Sequence, residues 1–198
     1  MGKITFILGG ARSGKSTHAL DLAKKRAGKT VFIATCQALD KEMEQRIELH
    51  KKARPAAWQT FEAPYDISKV LKKIGDKCDC IIIDCLTLLV SNLMLAKNKF
   101  DAIEANINKV ISYLQKTKST SIIVSNEVGL GIVPANRLAR NFRDIAGSVN
   151  RIVASQADEV LFMVSGIPVI IKSKSKSAKF KAQNSCLPVG RQNKKLEF

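Results

Sequence analysis

Gly9-Gly10-Ala11-Arg12-Ser13-Gly14-Lys15-Ser16 is the stretch on which the reading of this chain turns. It fits the pattern G-x-x-x-x-G-K-[ST], and it stands where that pattern acquires a mechanism: directly after the apolar run 4–8 and at the start of a helix-compatible stretch, 16–25. The glycines let backbone N–H groups turn inward around phosphate oxygens. The helix N-terminus adds the positive end of its dipole. Lys15 reaches the outer phosphates of a nucleoside triphosphate, and the Ser16 hydroxyl suits Mg²⁺. A chance glycine-rich turn explains the glycines but not the strand, loop and helix in that order.

Outward from this loop, short apolar runs alternate with amphipathic stretches. Strands are expected at 31–35, 80–83, 121–125, 160–164 and 169–171, and helices at 40–52, 86–96 and 102–116. Residues 136–154 suit one helix or a pair. The 40–52 helix is well signalled: Asp40 can cap it, Glu42 and Glu44 lie in its first turn, Lys51 and Lys52 in its last, and Pro55 stops it. Strands alternating with helices mean an α/β protein whose mostly parallel sheet is covered on both faces. The last two strands are close enough for a hairpin around Gly166-Ile167-Pro168, which places an antiparallel strand at one edge. From Lys172 onward the pattern stops. Domain 1–172 is expected to fold, and 173–198, rich in Lys, Ser, Gln and Asn, to be a disordered extension.

Composition narrows the class. The 198 residues suit one domain with a tail, and 45% hydrophobic with 25% charged residues is the mix of a folded soluble protein. The net charge of +16 invites a nucleic-acid partner. From Lys172 onward, however, eight basic residues face one acid, so +7 of the excess lies in the final 27 residues. Aromatic residues make up only 6%, too few for stacking platforms. The expectation is no nucleic acid. Five cysteines with no paired C-x-x-C spacing read as free thiols of a reducing compartment rather than a zinc site or disulfides. No segment approaches the roughly 20 apolar residues of a membrane helix, and no signal-peptide core is present. A cytoplasmic protein without membrane insertion is expected.

Several residues bear on chemistry. Asp84 ends the apolar run Ile81-Ile82-Ile83, which delivers a carboxylate to the sheet edge where the phosphate loop lies, in reach of Mg²⁺. His50 shares a helix face with Met43 and Ile47. That spacing turns it inward, either as a half-buried packing residue or as a nucleophile: neutral imidazole has a free lone pair near pH 7 and can attack phosphorus without a separate base. Lys51, Lys52 and Arg54 are a solvated helix end or a phosphate clamp. Glu62 reads as a surface acid and His18 as surface or packing. Arg137, Arg140 and Arg143 form a helical row suited to nucleic-acid phosphates, an anionic substrate or intersubunit ion pairs.

Taken together, these motifs resemble one family. The carrying residues are the phosphate loop, then Ile33-Ala34-Thr35, Arg46-Ile47 with His50, and Arg54-Pro55 with Trp58. Asn126-Glu127-Val128-Gly129 with Gly131-Ile132-Val133-Pro134 follows, then Arg137-Leu138-Ala139-Arg140 with Phe142-Arg143-Asp144, Gly147 and Asn150, and last Ser165-Gly166-Ile167-Pro168. In this order they resemble the bifunctional adenosylcobinamide kinase and adenosylcobinamide-phosphate guanylyltransferase of cobalamin biosynthesis. The resemblance spans roughly residues 3–172. It implies a RecA-like P-loop NTPase fold and a homotrimer with active sites near subunit interfaces.

It also implies two reactions. A phosphoryl group passes from ATP or GTP to the hydroxyl of adenosylcobinamide, and GTP then guanylylates a histidine, whose GMP moves to adenosylcobinamide phosphate. The guanylylated histidine matches His50. Nucleotide contacts fall on Gly9, Gly10, Ala11, Arg12, Ser13, Gly14, Lys15 and Ser16, on Ala34, Thr35 and Cys36, on Lys51, Lys52, Ala53 and Arg54, and on Glu62 and Asp84, with Ser16 and Asp84 also serving Mg²⁺. The chain departs from the family in four places: Leu49-His50 replaces a pair of histidines found in some relatives, Asp84 replaces a Glu of some members, Arg151 replaces a frequent Gln, and the Lys-rich tail is additional. Two other readings compete, a P-loop small-molecule kinase without guanylyl transfer and a nucleic-acid-binding ATPase.

Overall fold

The computed structural model describes residues 2–38 and 41–174. Seven strands form one sheet in the order β3-β2-β4-β5-β1-β6-β7. They are β1 (Ile4–Gly9), β2 (Thr30–Ala34), β3 (Gln59–Glu62), β4 (Cys80–Asp84), β5 (Thr120–Asn126), β6 (Glu159–Val164) and β7 (Ile167–Ser173). The helices are α1 (Lys15–Lys24), α2 (Lys41–Lys52), α3 (Ile67–Ile74), α4 (Leu86–Leu95), α5 (Phe100–Lys116) and α6 (Arg137–Gln156). Six strands run parallel, and β7 returns antiparallel to β6 at the edge.

The strands are apolar almost without interruption because both faces are covered. Alternate residues feed two cores. Phe6, Ile33, Ile81, Ile83 and Ile123 pack under α3–α6, while Ile7, Phe32, Ile82, Ile122 and Val124 pack against α1. Both faces being filled by side chains from every central strand fixes the register, since a one-residue slip would exchange the two cores.

The structure adjusts several expectations. Residues 136–154 belong to a single helix, α6, capped by Asn136, whose side chain accepts from Leu138 N and Ala139 N. The hairpin turns at Ser165-Gly166, both with positive φ, and Pro168 lies inside β7, tolerated because β7 is an edge strand. β7 runs through Ser173, and Lys174 N still bonds Asp158 O, so order extends past residue 172. The capping residue Asp40, Cys186 and the extension beyond Lys174 lie outside the described residues. Two elements were not expected. β3 is a short, exposed edge strand with one large apolar residue. α3 carries Ile67, Leu71 and Ile74 on one buried face between the cap Asp66 and Gly75.

The largest revision concerns α2. None of its residues joins either core. Met43 and Ile47 are half-buried and His50 is exposed. The apolar stripe of α2 therefore faces a cleft, not the protein interior.

Candidate functional site

The cleft lies at the carboxyl edge of the sheet, where the ends of β1, β2, β4 and β5 converge. It encloses about 680 Å³. Ala11, Arg12, Ser13, Gly14, Lys15 and Ser16 form one wall, α2 contributes His50, Lys51 and the apolar pair Met43 and Ile47, and the strand ends contribute Ala34, Cys36, Glu62 and Asp84. Arg54 completes this wall beyond the end of α2.

The phosphate loop is shaped by positions that Cβ atoms would spoil. Gly14 sits in the left-handed region at φ 89 and opens α1. At Gly9 a Cβ would stand 2.7 Å from both Met163 O and Ser13 Oγ. The Gly166 N–H donates to Ser13 O at 3.1 Å, so the β6–β7 hairpin braces the loop from outside. The Lys15 ammonium is held by the Gly10 carbonyl and by Ser13 Oγ at 3.4 Å. Burial lowers its pKa, and the nearby Cys85 and Asp84 oppose that shift.

Asp84 sits at the end of β4. Burial raises its pKa, against a hydrogen bond from Ser16 and the pull of His50, Arg54 and Lys15. The carboxylate and hydroxyl that face each other here are hard oxygen donors. They suit Mg²⁺, which is commonly held by one or two protein oxygens together with substrate phosphates. Among the described residues no group of three or more His, Cys, Asp or Glu side chains is arranged to hold a metal ion.

Arg54 lies over the Phe32 ring at 3.6 Å from its centroid. Burial lowers its pKa, opposed by Asp84 and Glu62, and its Nη1 is buried without a protein partner. A desolvated guanidinium with an open donor on the cleft wall has the chemistry that bidentate binding of phosphate oxygens uses. Lys51 pairs with Glu62 at 3.2 Å across the mouth, with both side chains largely in solvent.

Five expected nucleotide residues do not line the cleft. Gly9 and Gly10 shape the loop through their backbone. Lys52 and Ala53 are exposed beyond the end of α2. Thr35 is fully buried and acts as a lock: its N–H donates to Asp84 O at 3.1 Å, its hydroxyl donates to Cys85 O at 2.7 Å, and the same oxygen accepts from Cys85 N at 2.9 Å. It fixes the peptides that aim Asp84.

Thr17, Cys85, Leu88, Val124 and Asn126 line the cleft without having been singled out as ligands. Asn126 was foreseeable, because it ends β5, between the phosphate-loop strand and the Asp84 strand. Its backbone is held by a closed circuit. Asn126 N donates to Thr87 Oγ1, Thr87 to Ser125 Oγ, Ser125 to Asn150 Oδ1, and Asn150 Nδ2 returns to Asn126 O, all between 2.6 and 3.0 Å. No sequence pattern reveals such a circuit, because its members come from β5, α4 and α6.

Four thiols, Cys36, Cys78, Cys80 and Cys85, are free. Burial pushes the Cys85 thiol up to about 12 and the Cys80 thiol to about 11, so both are inert at neutral pH. The arginine row of α6 is engaged at home. Arg140 donates to Pro134 O at 3.0 Å and to Ala135 O, and Arg143 donates to Gly129 O at 2.6 Å. These bonds fix the two guanidinium groups in place against the 129–135 loop. No helix among the described residues is long and apolar enough to cross a membrane.

Comparison with known proteins gives a consistent result. The family model for cobinamide kinase / cobinamide phosphate guanyltransferase matches residues 5–171. The chain is 44% identical over 179 residues to the bifunctional adenosylcobalamin biosynthesis protein CobU of Salmonella typhimurium, and 40% identical to its counterpart in Escherichia coli. Each match covers 84% of this chain and 98% of the relative. Among solved structures, a KaiC-like protein of Pyrococcus horikoshii superposes with a TM-score of 0.52 at 14% identity, covering 87% of this chain and 80% of its own. A likeness at that identity shows the P-loop NTPase fold alone.

Proposed function

The chain belongs to the cobinamide kinase / cobinamide phosphate guanyltransferase family of cobalamin biosynthesis, and we propose that both of its reactions run in the single cleft, the second through a guanylyl-histidine at His50. The chain is accordingly a bifunctional enzyme, a cobinamide kinase and guanylyltransferase. The observation that carries the proposal is that His50 lines the same cavity as Lys15, Ser16, Arg54 and Asp84. A nucleophile and a triphosphate grip that share one cavity need only one nucleotide-binding site, filled in turn for the two steps.

In the kinase step the acceptor's hydroxyl oxygen attacks the γ-phosphorus of ATP or GTP, and its proton passes to a phosphoryl oxygen or to water. The bond to the β-phosphate oxygen breaks, and the nucleoside diphosphate leaves. Lys15 and the loop N–H groups hold the outer phosphates. Mg²⁺, held by Ser16 and Asp84 when bound, supplies neutralisation of phosphate charge.

In the transfer step an imidazole nitrogen of neutral His50 attacks the α-phosphorus of GTP. An N–P bond forms, the α–β bridging bond breaks, and pyrophosphate departs. A phosphate oxygen of phosphorylated adenosylcobinamide then attacks the same phosphorus. The N–P bond breaks, His50 is restored, and the product is adenosyl-GDP-cobinamide. Arg54, desolvated and with an open donor, is the group placed to bind phosphoryl oxygens as negative charge builds. Splitting the transfer in two replaces one hard displacement by two easier ones.

The test is incubation with GTP labelled at the α-phosphate. The wild type should trap acid-labile, alkali-stable label on His50. His50→Asn should trap none yet keep cobinamide phosphorylation, which uses the loop and Asp84 only. Label retained by His50→Asn would remove His50 from the nucleophile's role.

The fold of residues 1–172, completed by the last residues of β7, is read as the catalytic domain, acting in the cytoplasm as a homotrimer. The exposed Val169, Ile170 and Ile171 on edge strand β7 support a subunit contact.

A further inference from the structure

The cleft accounts for the nucleotide, but nothing described so far accounts for the acceptor. That acceptor is a corrinoid, a broad macrocycle with apolar methyl-bearing faces and an amide-bearing rim. It is too large to share 680 Å³ with a nucleoside triphosphate. It must lie outside the cleft with one side arm reaching in, so its ring needs an apolar surface at the cleft's edge.

The segment between β5 and α6 offers one. Its first residue is anchored to the phosphate-loop strand, since Glu127 N donates to Gly9 O at 2.9 Å. The residue before it, Asn126, lines the cleft. From there the chain presents Leu130 at 80% exposure, Ile132 at 97% and Val133 at 64%, with Leu138 beside them on the first turn of α6. Single exposed apolar residues need no explanation, but four exposed within nine positions of one another call for one.

The patch is also held in place. Glu127 Oε1 accepts from Gly129 N at 2.6 Å, Arg143 holds Gly129 O, and Arg140 holds Pro134 O and Ala135 O. Two arginines on loop carbonyls fix the backbone on which these exposed apolar side chains stand. A surface ordered in advance binds with less entropic loss.

We propose that Leu130, Ile132 and Val133, with Leu138, form the platform on which the corrin ring of the acceptor rests in both reactions, with its reactive side arm directed past Asn126 into the cleft. The assignment rests on the family activity but not on His50 as nucleophile. Its continuity with the cleft favours the small-molecule acceptor over a second copy of the chain as occupant.

The test is the double variant Leu130→Ser/Ile132→Ser in the full-length enzyme, compared with wild type in three measurements. The Michaelis constant for cobinamide in the kinase reaction should rise about tenfold or more, since two large apolar contacts are lost. The Michaelis constant for ATP should stay within about twofold. Corrinoid-free labelling by α-labelled GTP should be unchanged, which keeps this test separate from that of His50. An unchanged Michaelis constant for cobinamide overturns the proposal. So does a change in oligomeric mass at assay concentration with parallel loss of ATP and cobinamide affinity, which would make the patch a subunit contact. Equilibrium dialysis of cobinamide against the nucleotide-free variant serves as a second measurement. Wild-type affinity there would equally overturn the assignment.

Discussion

Replacing Thr35 by Val tests whether this residue is a structural lock or a nucleotide ligand. The side chain is fully buried, and Val fills nearly the same space, so little cavity is created. What disappears is one hydroxyl with two hydrogen bonds to Cys85. The Cys85 carbonyl keeps a second partner, since it also accepts from Leu89 N at 3.3 Å. The Cys85 N–H has no such reserve and becomes a buried unsatisfied donor. An orphaned buried group costs about 1–3 kcal/mol, and the lost second bond at the carbonyl adds a fraction of that. We expect Thr35→Val to lose about 2–3 kcal/mol. Thr35→Ser keeps both hydrogen bonds and loses one methyl, for about 1 kcal/mol. Urea unfolding followed by the fluorescence of Trp58, the sole tryptophan, reads this directly. With a slope near 2 kcal/mol per molar, Thr35→Val should shift the midpoint down by about 1–1.5 M. At temperatures where it stays folded, kcat should fall, because the lock also aims Asp84. A Thr35→Val loss below about 0.5 kcal/mol, or Thr35→Ser as costly as Val, would refute the reasoning.

Lys15→Ala should cripple both reactions, because one loop grips the triphosphate in each; guanylylation of the variant at near wild-type rate would mean that GTP binds elsewhere. Asn150→Asp removes the donor to Asn126 O and places a carboxylate 5% exposed between β5 and α6, so a loss of about 2–4 kcal/mol in urea unfolding is expected. The carboxyl of Asp158 is pushed up by burial, but the Ile4 N–H at 2.9 Å, Lys174 and Lys3 outweigh this and leave its folded pKa below the ordinary 3.8. A depressed acid stabilises the fold above its unfolded pKa and loses that contribution as pH falls through the folded value. The stability gap between wild type and Asp158→Asn should therefore be full at pH 7 and close as pH falls below the ordinary carboxylate value through the lower folded one, as acid titration by circular dichroism would show.

The fold was legible because its decisive signals are local. A loop pattern between a strand and a helix, and apolar runs at regular intervals, name a parallel sheet without any long-range information. β3 was hidden because an exposed edge strand carries little apolar periodicity. α3 was missed too, although its cap Asp66, the spacing of Ile67, Leu71 and Ile74, and Gly75 are local signals of a helix. Of the residues that line the cleft, Lys15, Ser16 and Asp84 were readable from the loop pattern and the strand end, whereas His50 had two open readings until the family resemblance favoured one. The groups that position them were not readable. Thr35 was expected as a nucleotide contact only because the family resemblance implies it, with Ala34 and Cys36. Only the pairing of β2 with β4 shows that its hydroxyl is turned to the neighbouring strand's end. The helix face of His50 was read correctly as shared with Met43 and Ile47. What periodicity cannot say is whether an apolar face meets a core or a cleft.

That distinction separates chemistry from stability across the site. Lys15, Asp84, Thr35 and Asn126 stand on strand ends and a helix start whose neighbours fill both cores, so substitutions there disturb folding and catalysis together. α2 gives no residue to either core, and His50 is exposed on it. Its ring therefore contributes little to folding. His50→Asn should change unfolding free energy by no more than about 0.5 kcal/mol, the range of surface substitutions. Loss of guanylyl transfer in that variant would then report on the imidazole itself. A His50→Asn protein that unfolds at much lower urea would show α2 packed more tightly than its exposure indicates, and the loss of transfer would have to be judged again at matched fraction folded.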